Sequence, residues 1–284
     1  DRSLSRMCVL AEEKEDFYDE NEDIITKKLY NLLFINSRRF IEFIVSIINN
    51  YDNISEVDFD NEEKLMLNMM YYIFYNDAPN KVGLSSINEG INKLLRNKTM
   101  MKEVCDILSY NYKHIGFIDK KVNLGFDCPL DLHCDYTTDV IMAAFGYFNE
   151  EKKPAFREGV KYFEDKKTDI FFITLNKSDK DFSPSTLYED YAINEKLFHW
   201  QTQSKTSIQS TTGQRYINHL KTGNKIALFV REYKTRDGLT SPFTYLGTCK
   251  YRSHSGDKPI SFVWELHEKI PASMINKANK TIII

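Results

Sequence analysis

Between Phe198 and His219 the chain concentrates planar rings, amides, hydroxyls and an arginine, and almost no carboxylates. The run Phe198-His199-Trp200-Gln201-Thr202-Gln203-Ser204 is followed closely by Thr211-Thr212-Gly213-Gln214-Arg215-Tyr216-Ile217-Asn218-His219. Rings stack on nucleobases, amides read base edges and cations hold phosphates, so these residue types suit nucleic-acid recognition. On a strand, Phe198, Trp200 and Thr202 share one face, while His199, Gln201 and Gln203 share the other. One face packs and the other reads. Ser204-Lys205-Thr206-Ser207 and Ser210-Thr211-Thr212-Gly213 read as hydroxyl-rich loops able to approach a nucleic-acid backbone closely. The expected DNA-contacting residues are His199, Gln201, Gln203, Ser204, Lys205, Thr211, Gln214, Arg215, Lys221 and Arg231. Tyr188, Asp190, Tyr191, Trp200 and Tyr216 are expected to wall a pocket for one extruded base, with Asp190 accepting from a cytosine amino group. Each has a plainer reading beside it. Trp200 also reads as a core residue, Asp190 as the end of a turn, and Arg231 with Glu232 as a structural pair.

Motifs for bond-making chemistry are missing. The chain has no Gly-x-x-x-x-Gly-Lys-Ser/Thr phosphate loop, Gly-x-Gly-x-x-Gly, His-Glu-x-x-His or Cys-x-x-Cys. Cys128, His133 and Cys134 come nearest to a metal cluster. His133 and Cys134 are adjacent, so on a strand they face opposite sides, and no second ligand pair follows. A triad drawn from Ser204 or Ser207, His199 or His219, and Asp190 has no Gly-x-Ser-x-Gly elbow to support it. No catalytic residue, metal site or cofactor is expected in this segment.

Charge sharpens the reading. Residues 199–284 carry 13 Lys+Arg against 5 Asp+Glu, a balance of +8, and the preceding 198 residues carry 25 against 36, a balance of −11, which sum to the net −3. A chain that segregates charge in this way often turns one part toward a polyanion. The plainer alternative is ordinary solubilising charge on each part. The five cysteines are scattered and odd in number, which suits a reducing cytoplasm. No signal peptide or membrane span is evident. The chain starts at Asp1 and reads as a piece of a longer polypeptide.

Two kinds of element must position these residues. Residues 1–124 read as a helical bundle. Apolar residues recur at helical spacing over Arg38–Ile48, Glu62–Tyr75 and Met100–Tyr112, and Ser86 with Glu89 marks a further helix start. The Met66, Met69, Met70, Tyr71 and Tyr72 cluster reads as core. Residues 125–284 read as β-rich. Leu130 to Tyr136 alternates as a strand, and Thr137 or Thr138 caps a helix after it. Strands are expected at Asp169–Leu175, Lys196–Gln201, Ile226–Tyr233, Tyr245–Tyr251 and Ile260–Leu266. Gly223-Asn224, Asp237-Gly238 and Gly256-Asp257 supply turns. The fold class is α+β, with a compact barrel or sandwich and flanking helices following the bundle.

At these same residues the chain resembles the C-terminal region of SauUSI-like, type IV restriction endonucleases with phospholipase-D nuclease and helicase domains. The blocks that carry the resemblance are Phe198-His199-Trp200-Gln201-Thr202-Gln203, Thr212 through His219, Leu228-Phe229-Val230-Arg231-Glu232 and Tyr245-Leu246-Gly247. Arg157-Glu158-Gly159-Val160 and Thr174-Leu175-Asn176-Lys177 add to them, over roughly residues 125–275. The resemblance implies an SRA/PUA-like β-barrel that detects 5-methylcytosine or 5-hydroxymethylcytosine in duplex DNA by base flipping. It further implies that ATP and Mg belong to a motor domain of the same polypeptide, beside a nuclease domain. A nucleic-acid enzyme with its own active site, a protein-interaction module and an RNA-binding module remain the alternatives.

Overall fold

Polar side-chain caps start all the described α-helices of the first unit except the short second and third. The computed structural model describes residues 2–17, 21–54, 59–176, 190–272 and 274–275. Ser3 accepts the Arg6 amide to open α1 (Leu4–Leu10), and the short α2 (Glu22–Thr26) and α3 (Leu29–Leu32) follow. Ser37 caps α4 (Arg38–Asn50), and a reciprocal Asp60/Glu63 capping box starts α5 (Asn61–Phe74). Ser86, Asn97 and Thr137 cap α6 (Ile87–Arg96), α7 (Lys98–His114) and α8 (Thr138–Ala144). The helices expected from periodicity are therefore present. α5 packs on α4, α6 and α8 and buries Met66, Met69, Met70, Tyr71 and Tyr72, so the methionine–tyrosine cluster is core.

The strand expected over Leu130 to Tyr136 is a correction. Only Asp135–Tyr136 (β1) is extended, because His133 adopts a left-handed φ of 66° that interrupts the run. The buried residues around it anchor a turn. Asp131 is 3 % exposed, accepts from Ser37 at 2.7 Å, and pairs with Arg39 at 2.7 Å. Arg39 also bonds Glu62, so one arginine ties the starts of α4 and α5 to this turn.

The chain divides into two compact units, residues 1–156 and 157–284. Residues 125–156, assigned from the sequence to the β-rich part, fall in the first unit, where α8 packs on α5.

The second unit is built on β2 (Val160–Phe163), β3 (Thr168–Asn176), β4 (Tyr191–Ala192), β5 (Leu197–Gln201), β6 (Lys225–Tyr233), β9 (Phe243–Ser255) and β10 (Ser261–Leu266). Between β6 and β9, β7 (Thr235–Arg236) and β8 (Leu239–Thr240) form a hairpin turned by Asp237 and Gly238, both at positive φ. In the main sheet the order is β2-β3-β6-β9-β10-β5-β4. Of its pairs β3 with β6 is parallel, and the others along this path are antiparallel. The expected barrel is therefore also corrected. The sheet is open, with β2 and β4 at its two ends, and the fold is α+β. The parallel pair requires a crossover, and β4, β5 and two short helices lie between β3 and β6 in the chain. Those helices are α9 (Thr211–Ile217) and α10 (His219–Thr222).

The face of this sheet that α9 covers is packed as core. Phe171, Phe198, Trp200, Leu228, Phe262 and Trp264 pack together there, and α9 inserts Tyr216 among them. The Tyr216 ring centroid lies 5.2 Å from Phe171, 5.7 Å from Trp200 and 6.0 Å from Phe262. Truncating a buried aromatic of this kind costs roughly 3–5 kcal/mol.

Candidate functional site

The residues expected to read nucleic acid sit on both faces of the sheet, and geometry sorts them. On β5, Phe198 and Trp200 are buried while Leu197, His199 and Gln201 are half-buried on the opposite, outward face. Register carries that outward face across neighbouring strands. His199 lies opposite Tyr191 on β4 and Val263 on β10, and Val263 lies opposite Ser253 on β9. A second row runs Gln201–Ser261–Ser255, and a third runs Leu197–Glu265–Lys250. The Tyr191 and His199 rings stack at 4.7 Å with planes 17° apart. Gln201 Nε2 donates to Ser261 Oγ at 3.0 Å, and the Gln201 backbone N–H donates to Asp190 Oδ1 at 3.0 Å. Asp190 is buried beside the Tyr191–His199 stack.

Trp200 and Tyr216, expected in the wall of a base pocket, belong instead to the core on the other face. Trp200 stacks on Phe171 at 4.2 Å, and Tyr216 is 1 % exposed. Burial, with Asp169 nearby, raises the Tyr216 phenol above its ordinary pKa. Tyr188 lies outside the described residues.

The helical side of the sheet carries Thr211, Gln214, Arg215 and Lys221. Ser210 to Gly213, expected as a loop, is the start of α9. Ser210 Oγ accepts the Gly213 amide at 3.0 Å and donates to Ser207 O at 2.6 Å. A Cβ at Gly213 would stand 2.2 Å from Ser207 O, so the backbone there requires glycine. Thr211, Gln214 and Lys221 are exposed, and Gln214 Nε2 bonds Ile208 O at 2.9 Å. Ser204 and Lys205 are exposed in the turn after β5, and Gln203 is half-buried with its carbonyl accepting from Thr206.

Two arginines of the expected DNA set are tied into the fold. Arg215 forms a fork to the buried Asp169, Nε to Oδ2 at 2.9 Å and Nη2 to Oδ1 at 3.0 Å, with its guanidinium 4.0 Å from the Tyr162 centroid. Burial opposes both charges of that pair. Burial is the largest single influence at Arg215, but the hydrogen bond and the charge attraction of Asp169 together exceed it and raise the guanidinium, while at Asp169 burial outweighs the arginine and raises the carboxyl. The two-pronged contact is that of an ionised pair. Arg231 donates from Nε to Thr174 Oγ1 at 3.0 Å and from Nη1 to Ser241 O at 3.2 Å, and lies 4.2 Å over Phe243.

His219 also has a settled role. Its Nε2 accepts the Tyr251 amide at 2.9 Å, which fixes the ring as neutral with the proton on Nδ1, donated to Asn224 O at 3.1 Å. Burial lowers its pKa accordingly. Tyr251 lies past Cys249, the last β9 residue paired with β6, so the ring supplies a partner the ladder does not.

Residues 130–278 match DUF3427, a domain of unknown function. The chain belongs to this family. No curated protein matches it. The DUF3427 match begins in the first unit, at the turn held by Asp131, and runs through the whole described sheet of the second. Among the described residues no helix is long and apolar enough to cross a membrane, and no group of His, Cys, Asp and Glu is placed to hold a metal ion.

Sequence reasoning passed over the outward residues of β9 and β10, namely Lys250, Arg252, Ser253, Ser261, Val263 and Glu265. The alternation Ser261, Val263, Glu265 against Phe262, Trp264, Leu266 was available to reveal them.

Proposed function

We propose that this DUF3427 chain binds duplex DNA through its second unit and reads a 5-methyl- or 5-hydroxymethylcytosine turned out of the helix. It is then the target-recognition part of an ATP-dependent, modification-dependent restriction endonuclease of the cytoplasm, with helicase and nuclease domains on the same polypeptide. The observation that carries the reading is the outward row of the sheet. A stacked Tyr191–His199 pair stands beside Gln201, and the opposite faces of the same strands are sealed by Phe198, Trp200, Phe262 and Trp264. A stiff, half-exposed platform with an amide at its side suits a single nucleobase. The resemblance to SauUSI-like enzymes and the basic balance of the last third support the same reading.

The mechanism has three parts. Exposed lysines and arginines hold phosphates, a salt-sensitive contribution. One cytosine leaves the stack at a cost of a few kcal/mol. The base then stacks on the Tyr191–His199 platform, where Gln201 and the anchored Asp190 offer polar groups to its edge. An extra methyl contributes only about 1 kcal/mol on burial, so discrimination from plain cytosine is modest in the isolated domain. The full enzyme then needs a further step for specificity, such as two occupied sites.

Titration with matched cytosine, 5-methylcytosine and 5-hydroxymethylcytosine duplexes tests the proposal. His199→Ala and Tyr191→Ala should weaken binding to modified duplex more than to plain duplex, and Arg252→Ala, at an exposed cation of the same outward face, should weaken both alike. Equal losses on both duplexes would refute the platform. Failure to bind any duplex at low salt would favour a protein-interaction module, and stronger competition by RNA would favour an RNA reader.

A further inference from the structure

We propose that Lys250 and Arg252 form a phosphodiester-binding subsite on the outward face of the sheet, occupied by the Glu265 carboxylate when nucleic acid is absent. This subsite presupposes that the second unit binds nucleic acid, as proposed above. Lys250 lies directly opposite Glu265 in the β9–β10 ladder. Arg252 reaches the same carboxylate because the ladder is irregular there. Val263 faces Ser253 while Trp264 faces Tyr251, which leaves Arg252 as the extra residue of a bulge. Bulges re-aim a side chain out of the normal alternation. The result is one carboxylate between two cations, with Lys250 Nζ 3.2 Å from Oε1 and Arg252 Nη1 3.8 Å from Oε2. Two oxygens sharing one negative charge, each facing a separate cation, is also how a phosphodiester presents its non-bridging oxygens.

Exposure decides whether the cations can change partner. The Lys250, Arg252 and Glu265 side chains are 44 %, 67 % and 29 % exposed. Ion pairs open to water to this extent hold weakly, so a phosphate displaces the carboxylate at little cost. Position fits the same ligand. Glu265 is two residues along β10 from Val263, which lies opposite His199, and that spacing is about 7 Å on one strand face. A phosphate held there lies next to the base platform. Glu265 therefore sets the affinity. It lowers binding to any duplex equally and leaves the base-reading residues untouched.

The test uses the full chain, an unmodified duplex and fluorescence anisotropy over a salt series from about 50 to 200 mM. Glu265→Gln keeps the shape and removes the charge, and should tighten binding about two- to five-fold. Lys250→Ala with Arg252→Ala should weaken binding and flatten the slope of log K against log salt by about 0.9. In that double-alanine background Glu265→Gln should lose its effect. A Glu265→Gln chain that tightens binding equally with and without the two cations would overturn the subsite, since the carboxylate would then act only as distant charge. An unchanged affinity in Glu265→Gln, with a loss in the double alanine, would overturn the competition and leave DNA binding standing. No binding by the unaltered chain at the lowest salt would overturn both. Thermal melts of each variant confirm that the sheet is intact.

Discussion

Replacing Arg215 with alanine strips the buried Asp169 carboxylate of its two N–H donors and leaves Tyr162 without the guanidinium 4.0 Å above it. Asp169 has a side chain 1 % exposed, so water does not replace those donors in the folded state. Removing one partner of a buried pair typically costs 3–5 kcal/mol. The Arg215 side chain is 18 % exposed, which places this pair toward the lower end, at about 3 kcal/mol. For a domain of this size each kcal/mol shifts the melting midpoint by roughly 2–4 °C, so a drop of about 6–12 °C is expected. Differential scanning fluorimetry measures it. Asp169→Ala should cost a similar amount, and the double variant should lose less than the sum, by about 1–3 kcal/mol, because the second change removes a group already orphaned. If Arg215→Ala keeps the melting midpoint and loses DNA affinity instead, the guanidinium serves the ligand and not Asp169, and the reasoning from the fork geometry fails.

Three other outcomes follow from local geometry. Gly213→Ala places a Cβ 2.2 Å from Ser207 O, so it should destabilise the second unit by about 2 kcal/mol or more, read as a lowered urea midpoint, whereas Gly223→Ala has open space and only the strain of its φ of 72° to bear. His219 is held neutral and its folded pKa lies below its unfolded value near 6.5. Its contribution to stability is therefore complete above about pH 6.5 and is lost as pH falls through the folded pKa. A His219→Gln variant should show a shallower loss of stability between about pH 7 and pH 5 than the unaltered chain, and an unchanged slope would remove His219 from the account. Asp60→Ala breaks the capping box of α5 and should cost about 1 kcal/mol in a denaturant titration of the full chain.

What the sequence revealed followed periodicity, and what it hid followed contacts between distant residues. Alternation on β5 separated Phe198 and Trp200 from His199 and Gln201, and the two sets do lie on opposite faces. It did not say that α9 would cover the buried face, where Tyr216 meets Trp200 inside the core and not in the wall of a pocket. α9 itself was illegible. Seven residues are too few to show a helical period, and Thr211, Thr212 and Gly213 are weak helix formers. The helix exists because Ser210 caps it and because Gly213 lets the Ser207 carbonyl approach. The open sheet was hidden for a related reason. Strand runs report pairing partners poorly, and the parallel contact of β3 with β6 joins residues 57 positions apart, as with Asp169 and Ile226. The break at Leu130 to Tyr136 turns on one backbone angle, at His133, in a stretch whose composition alternates as a strand would.

The charge asymmetry needs the same correction. A balance of +8 over residues 199–284 suggests a continuous cationic surface, but the fold has already assigned two of those charges. Arg215 is neutralised by Asp169, and Arg231 is turned onto Thr174, Ser241 and Phe243. Lys205, Lys221, Arg236, Arg252 and Lys258 remain exposed to solvent. Counterion release counts only cations that meet phosphates, so under the proposed DNA binding the salt slope should correspond to a few contacts and fall well short of the 13 basic residues in that stretch. A slope that matched the full count would mean that the buried arginines leave their partners on binding, and that the Asp169–Arg215 fork opens in the complex.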